Sequence, residues 1–434
     1  MRPFSWLLVL LLAVVAVACV DPEELLLRGT VDVIVIDGTI TNLAEPQIIR
    51  LNRSRADPLT GRFGVLPLTK ISVQVVVDSA EVINCHETVD GSYQLPSDFK
   101  GQVGHAYQLR FTLENGGTYV STQQIMPAVP PIAKVSAQFN LTSLPPNLLG
   151  GFTKGYDLLI DMQDPVAQRN YYRWDWNLYE MQDWCKSCTQ GYYMTNKLTL
   201  VSSYPAPLVY RAEPDLLEDC FDVPSSVLST GTFSSPSYFV LDYPCRTQCW
   251  EIIHSYALNL FNDQYVNGGQ ILSRNIGQVP FYTHNPALIE IRQASLTSDA
   301  YRFLTLFQQQ TQNTGGLADT PPAALVGNVH NVANAQEKVV GYFTAGAVSS
   351  IRYWLDKKDA SGIPLGGVDD EGKIVPGDKE LFFALNRRLP KPEPQTSVEY
   401  SIGFAIVGGG SRPPSALCVP SDTKTPLKPD GWRN

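Results

Sequence analysis

Period-two alternation governs most of the chain, and a helical period governs one stretch. Ile71, Val73, Val75 and Val77 alternate with Ser72, Gln74, Val76 and Asp78, which sets one face of a strand against a core. Tyr107, Leu109, Phe111 and Leu113 alternate in the same way with Gln108, Arg110, Thr112 and Glu114, and Asn115-Gly116-Gly117 leads into Tyr119–Thr122. Asn and Gly accept positive φ, so this triplet predicts a hairpin. Val31–Ile36 is apolar on both faces, as a central sandwich strand is, and Asp90-Gly91 supplies a turn ahead of Tyr93 and Leu95. Short strands at this spacing predict one β-sandwich over residues 31–126, immunoglobulin-like or transthyretin-like in form.

Met126-Pro127-Ala128-Val129-Pro130-Pro131 follows. Its three prolines block both helix and ladder, which predicts a stiff linker over 127–133. Beyond it the strands lengthen and become richer in aromatics. Tyr172, Trp174, Trp176 and Leu178 share one face of a strand, and Arg173, Asp175, Asn177 and Tyr179 share the other. Further strands are expected at Tyr156–Asp161, Ile252–Leu260, Leu288–Ala294, Val339–Thr344 and Ser349–Leu355. One helix stands out: Thr297 or Ser298 caps it, Asp299 suits its first turn, Tyr301, Leu304 and Phe307 recur on one face, and Gly315-Gly316 ends it. Asp356–Asp378 is polar and Gly-rich, which predicts a long surface loop. The fold class is therefore mainly β: the first sandwich, then a larger β-rich domain over 134–434 with one helix and a Cys-rich insertion.

The N-terminus carries an address. Arg2 precedes a fourteen-residue apolar run, Phe4 to Val17, which spans about 21 Å as a helix against a hydrocarbon core of roughly 30 Å. A cleaved signal over 1–18 is expected rather than a membrane-spanning anchor. Ala18 directly before Cys19 resembles a bacterial lipobox, which makes Cys19 the lipidated first residue of the mature chain and 19–30 its tether. A plain secretory signal is the alternative.

Composition narrows the partners. Of 434 residues 44% are apolar and 17% charged, with 33 basic against 42 acidic residues and a net charge of −9. Such a chain is too apolar for a disordered protein. It is acidic and has no basic segment, which excludes nucleic acid as a partner. Removing the signal takes Arg2 with it, leaving 32 basic residues against 42 acidic and a charge of −10.

Candidate chemistry rests on cysteines and aromatics. Beyond Cys19 stand Cys85, Cys185, Cys188, Cys220, Cys245, Cys249 and Cys418. An exported protein meets oxidising conditions, so Cys185, Cys188, Cys220, Cys245, Cys249 and Cys418 are read as disulfide cysteines and Cys85 as the free thiol. The rival is a zinc site from Cys185-x-x-Cys188 and Cys245-x-x-x-Cys249, which has no histidine close beside either pair. No metal and no cofactor is expected. His86, His105, His254, His284 and His330 form no metal-binding or hydrolase motif. Cys85 beside His86 would point to opposite faces of a strand. Gly408-Gly409-Gly410 lacks the Lys-Ser/Thr of a phosphate loop, and Asp369-Asp370-Glu371 lacks the alternation of an EF-hand loop. Trp174 and Trp176 are read as core. Trp184 and Trp250, each beside a cysteine, are read as exposed binding aromatics.

Several stretches together resemble a family of Bacteroidota lipoproteins catalogued as a domain of unknown function, number 4249. They are the lipobox cysteine with its acidic neighbours Asp21, Glu23 and Glu24, Asp37-Gly38, Asp90-Gly91-Ser92-Tyr93 and Gly104-His105-Ala106-Tyr107. More specific are Gly315-Gly316-Leu317 through Pro321-Pro322, Val326-Gly327-Asn328-Val329, Val340-Gly341-Tyr342-Phe343 and the tail Lys428-Pro429-Asp430-Gly431-Trp432. The family commonly carries a C-x-x-C pair near its end, where Cys418 stands alone here. Members are often encoded beside TonB-dependent outer-membrane receptors, which implies a lipid-anchored outer-membrane accessory or substrate-capture protein with such a receptor as partner. The face of the membrane and the ligand stay open. The alternative function is an extracellular hydrolase or glycan-acting enzyme whose carboxylates converge only in the fold.

Overall fold

The computed structural model describes residues 33–56, 63–146, 148–166, 168–182, 184–188, 192–195, 198–202, 209–212, 216–221, 241–311, 325–365, 405–406 and 417–433. Between 183 and 244 only Cys185 has a described side chain. Cys19, the signal, Gly315-Gly316, Pro321-Pro322, Asp369-Asp370-Glu371 and Gly408-Gly409-Gly410 lie outside the described residues.

The first strands are β1 (Val33–Ile40), β2 (Ile48–Ala56), β3 (Phe63–Pro67), β4 (Ser72–Val77), β5 (Glu81–Asn84), β6 (His86–Val89), β7 (Ser92–Gln94), β8 (Ala106–Thr112), β9 (Thr118–Ser121) and β10 (Gln124–Ile125). There follow β11 (Ile132–Asn140), β12 (Gly155–Gln163), β13 (Tyr171–Met181), β14 (Trp184–Cys188), β15 (Tyr192–Thr195), β16 (Leu198–Ser202), β17 (Val209–Ala212), β18 (Leu216–Phe221) and β19 (Leu241–Pro244). The rest are β20 (Trp250–His254), β21 (Asn259–Asn262), β22 (Gln270–Pro280), β23 (Ala287–Ser295), α1 (Ser298–Thr311), β24 (Val329–Asn331), β25 (Val339–Ala345), β26 (Val348–Leu355), β27 (Ala405–Ile406) and β28 (Lys424–Thr425).

Two sandwiches result. In the first, a sheet ordered β25-β1-β2-β7-β6 faces one ordered β24-β9-β8-β4-β5. The alternation read in the sequence supplies their shared core: Val73, Val75 and Val77 from β4, Tyr107, Leu109 and Phe111 from β8, Ile34, Ile36 and Ile40 from β1. Phe111 stacks on Tyr119 with ring centroids 4.8 Å apart. In the second, β11-β12-β22 packs on β26-β23-β13-β20-β28, with β21 also on β13. Tyr156, Leu158, Ile160 and Met162 of β12 meet Tyr172, Trp174, Trp176 and Leu178 of β13 in its core. Trp174 is 1% exposed, and its indole donates to Gln293 Oε1 at 2.8 Å, so its one polar atom is satisfied inside.

Three expectations are corrected. Residues 134–434 do not form one separate unit: β25 pairs in parallel with β1, Ile34 opposite Val339 through Ile40 opposite Ala345, and β24 pairs with β9. The first sandwich thus completes both its sheets with strands from far down the chain, because the open edges of β1 and β9 each need a partner for their unpaired N–H and C=O groups. Ile252–Leu260 is two strands, β20 and β21, on the same partner β13: His254 stands opposite Asn177 and Asn259 opposite Trp174, so the chain between them loops out and the register shifts. The loop after β26 is not wholly a surface feature. Lys357 is 2% exposed and places Nζ 3.2 Å from Glu180 Oε1, with Leu365 buried beyond it.

The proline segment is held to the second sandwich. Pro127 C=O accepts from Ser295 Oγ at 2.8 Å, and Pro130 C=O accepts from Gln293 Nε2 at 2.9 Å. Thr297 Oγ1 caps α1 by accepting from the Ala300 N–H at 3.2 Å. Phe303 of α1 meets Tyr342 of β25 at 4.9 Å. α1 is the one α-helix among the described residues.

Candidate binding cleft

Strand alternation gives β13 a second face. While Trp174 and Trp176 point into the core, Arg173, Asp175, Asn177 and Tyr179 point the other way. There they line two adjoining hollows of about 500 and 870 Å³ that share Arg50, Asn177, His254 and Arg292. The cleft lies between the sandwiches. One wall is the outward face of β13, β20, β23 and β26; the other is Arg50 of β2 and the turn before it, with Glu45.

Local hydrogen bonds fix that turn. Gln47 is 3% exposed; its Oε1 accepts from the Thr41 N–H at 2.8 Å, and its Nε2 donates to the carbonyls of Leu43 and Glu45. Glu45 is thereby presented to Arg292, whose Nη1 and Nη2 meet Oε2 and Oε1 at 2.7 and 2.6 Å. Such a two-pronged pair has a fixed geometry as well as a charge attraction. From the tail, Ser421 and Asp422 complete the rim. The tail is held there by β28 on β20 and by Lys424 Nζ donating to the Cys185 carbonyl at 2.9 Å.

Every carboxylate lining the cleft has an arginine. Asp175 lies 3.0 Å from Arg173 and 3.8 Å from Arg292, Glu290 lies 3.7 Å from Arg352, and Asp422 lies 3.5 Å from Arg50. Burial pushes the Glu45 carboxyl up, but hydrogen bonds and charge from Arg292 outweigh it and hold the group below the usual carboxylate range. Tyr179, donating to Glu290 at 3.1 Å, is pushed up to about 12 by burial first and the Glu290 charge second. His254 is engaged at both ring nitrogens, by Asn177 Oδ1 and the Asp422 carbonyl, each at 2.7 Å. Acid–base catalysis wants a group with a pKa near working pH and a free line to its substrate. The carboxylates of this cleft are instead committed to their arginines, and the arrangement suits recognition by hydrogen bonds.

The sequence-derived candidates fall elsewhere. Cys185 is bonded to Cys245, and Cys249 to Cys418 across 169 residues of sequence. Cys249 thus ties down the tail rather than closing the insertion. The sulfurs of Cys185, Cys245 and Cys249 lie within 4.8 Å of one another, but both bridges consume the thiolates a zinc ion would need. The side chains of Cys188, Cys220 and Trp184 lie outside those described; the backbone places Trp184 at the start of β14, paired with Pro244. Cys85 is the free cysteine among the described residues. Burial pushes its thiol up to about 12, which removes it as a nucleophile at neutral pH. Trp250 is a correction: it is 1% exposed, covered by the returning tail, and is no exposed binding aromatic. Glu45, Arg50, Arg292 and Arg352 were not singled out from the sequence. The one signal toward them was the polar face Arg173–Tyr179 of β13.

The family model described as "Domain of unknown function (DUF4249)" matches residues 20–352. No curated protein and no solved structure matches the chain.

Proposed function

We propose that this chain, which belongs to the DUF4249 family, is a non-enzymatic capture protein of the outer membrane, anchored through lipid on Cys19 and partnered with a TonB-dependent receptor. The observation that carries the capture role is the cleft between the sandwiches, walled by charges already paired with one another. Arg50, Arg173, Arg292 and Arg352 stand against Glu45, Asp175, Glu290 and Asp422, so the lining favours no ion of either sign. It offers many fixed donors and acceptors, with the exposed ring of Tyr256 at its edge. A polar, uncharged cargo rich in hydrogen-bonding groups fits such a lining. The anchoring half of the reading is supported by the apolar run Phe4–Val17 followed by Ala18-Cys19. The receptor half is supported by the genetic company such families keep.

The test is affinity purification of the native, lipid-bearing protein from detergent-solubilised outer membranes. Recovery of a β-barrel receptor in stoichiometric amount is the expected result. Its absence from a preparation in which the protein itself is intact sinks the partnership. Retention of a small polar molecule by the wild type, lost in Arg292→Ala, supports the cleft as the capture site; a variant that retains the same molecule overturns that placement.

A further inference from the structure

Away from the cleft, the connections 164–170 and 263–269 meet at one end of the second sandwich, the first leading from β12 to β13 and the second from β21 to β22. They bury two carboxylates together: Asp164 is 1% exposed and Asp263 is 0% exposed. Asp164 Oδ1 accepts from the Tyr172 hydroxyl at 2.6 Å and from Asn170 Nδ2 at 3.5 Å, and Oδ2 accepts from the Gly268 N–H at 2.9 Å. Asp263 Oδ2 accepts from the Asn170 N–H at 2.8 Å and from Asn170 Nδ2 at 3.3 Å. Among the described residues, Asp263 Oδ1 is buried with no donor.

The remaining contacts sharpen the imbalance. Asn170 Nδ2 also faces the carbonyls of Pro165 at 3.4 Å and Gln168 at 3.0 Å. Four oxygens thus converge on an amide with two N–H groups, and the unmatched Asp263 oxygen shares a carbon with one of them. Arg169, in the same connection, is exposed. Among the described residues the bonds just named are the only polar contacts of the two carboxylates, and none comes from a Lys, Arg or His. Burying two carboxylates without a counter-charge is strongly unfavourable.

We propose that Asp164 and Asp263 hold one calcium ion. The available donors are all oxygen, from two carboxylates and the Pro165 and Gln168 carbonyls. Calcium takes six to eight oxygens in irregular geometry. Magnesium demands a tighter octahedron and keeps its waters, and zinc favours nitrogen and sulfur. A half-turn of the Asn170 amide exchanges its nitrogen for its oxygen and adds a further ligand in place of a competing donor. The ion would fasten the connection that enters β13 to the one that enters β22, closing this end of the sandwich.

The probe is terbium(III), which takes calcium sites and emits when aromatic rings lie near it; Tyr172 bonds directly to Asp164, and Trp174 stands 5.9 Å from Tyr172. With the full mature chain, emission should saturate near one equivalent and be displaced by calcium but not by equal magnesium. Calcium should raise the Tm by several degrees over protein in chelator. Asp263→Asn, which removes charge at constant shape, should weaken calcium binding by at least about tenfold. Wild-type protein with no saturable emission and no Tm difference between calcium and chelator overturns the proposal, and so does undiminished binding in both Asp263→Asn and Asp164→Asn. If a variant fails to fold, the wild-type comparison decides alone.

Discussion

Trp432 packs edge-on against Trp250, with ring centroids 5.9 Å apart and planes at 76°. It also packs against Trp354 at 5.1 Å and 87°. The tail is thus a lid on β20 and β26, and the Cys249–Cys418 bridge is its hinge pin. Cys249→Ser should release it. The bridge closes 169 residues of sequence, for which loop-closure entropy alone amounts to about 5 kcal/mol. Hydrogen exchange should accelerate at residues 417–433 and at Ile252, whose N–H donates to the Thr423 carbonyl at 2.7 Å. Unchanged protection there would show that stacking and β28 hold the tail without the bridge.

Glu45 and Arg292 couple the two sandwiches, and their link depends on pH. The Glu45 carboxyl is held below its free value, so the folded state binds fewer protons than the unfolded one. Its contribution is complete above the free-glutamate value of about 4.3 and disappears as pH falls through the lower folded value. Glu45→Gln should cost about 2 kcal/mol at pH 7, because it leaves a half-buried guanidinium short of its partner. Wild type and variant should converge in urea denaturation as the pH falls through that lowered value. A difference that persists undiminished in acid would mean that packing, not charge, carries the effect.

Cys85 should be inert while the chain is folded. Its thiol is pushed up to about 12 by burial, which leaves about one part in ten thousand as thiolate at pH 8. Iodoacetamide should label it negligibly in native protein and completely in urea without reductant. Rapid native labelling would place the sulfur in solvent.

The strands were legible where alternation runs clean. Val73-Val75-Val77, Tyr107-Leu109-Phe111 and Tyr172-Trp174-Trp176 sit in the cores that their spacing implied, because one side of a half-buried strand must be apolar throughout. The membership of β25 was not legible. An apolar run such as Val339–Thr344 carries no mark of which sheet it joins, and its partner β1 lies about three hundred residues away. The cleft was half legible: Arg173, Asp175, Asn177 and Tyr179 formed a polar face, but Arg292, which reaches Asp175, and Glu45 and Arg352, which pair with Arg292 and Glu290, join it only through folding. Trp250 misled for the same reason, since what covers it is Trp432, at the other end of the sequence.

Gly341 shows what the motif Val340-Gly341-Tyr342-Phe343 is for. It stands opposite Ile36 in the parallel pairing of β25 with β1, at a φ of 99°. A methyl group there would fall well inside contact distance of the Ile36 carbonyl oxygen and 2.8 Å from the Ile36 backbone C and N. Backbone atoms in a ladder cannot retreat as a side-chain tip can. The substitution Gly341→Ala therefore meets two penalties: left-handed strain of about 1–2 kcal/mol, and a clash worth about 1–3 kcal/mol more. Gly116 separates them, because its φ is 84° and nothing lies within 4 Å of an added methyl. Gly116→Ala should thus lose about 1 kcal/mol in urea denaturation, and Gly341→Ala about 4 kcal/mol, with exchange rising along both β1 and β25. Equal losses in the two variants would mean that the close approach of Ile36 to Gly341 contributes nothing to seating β25 in the first sandwich.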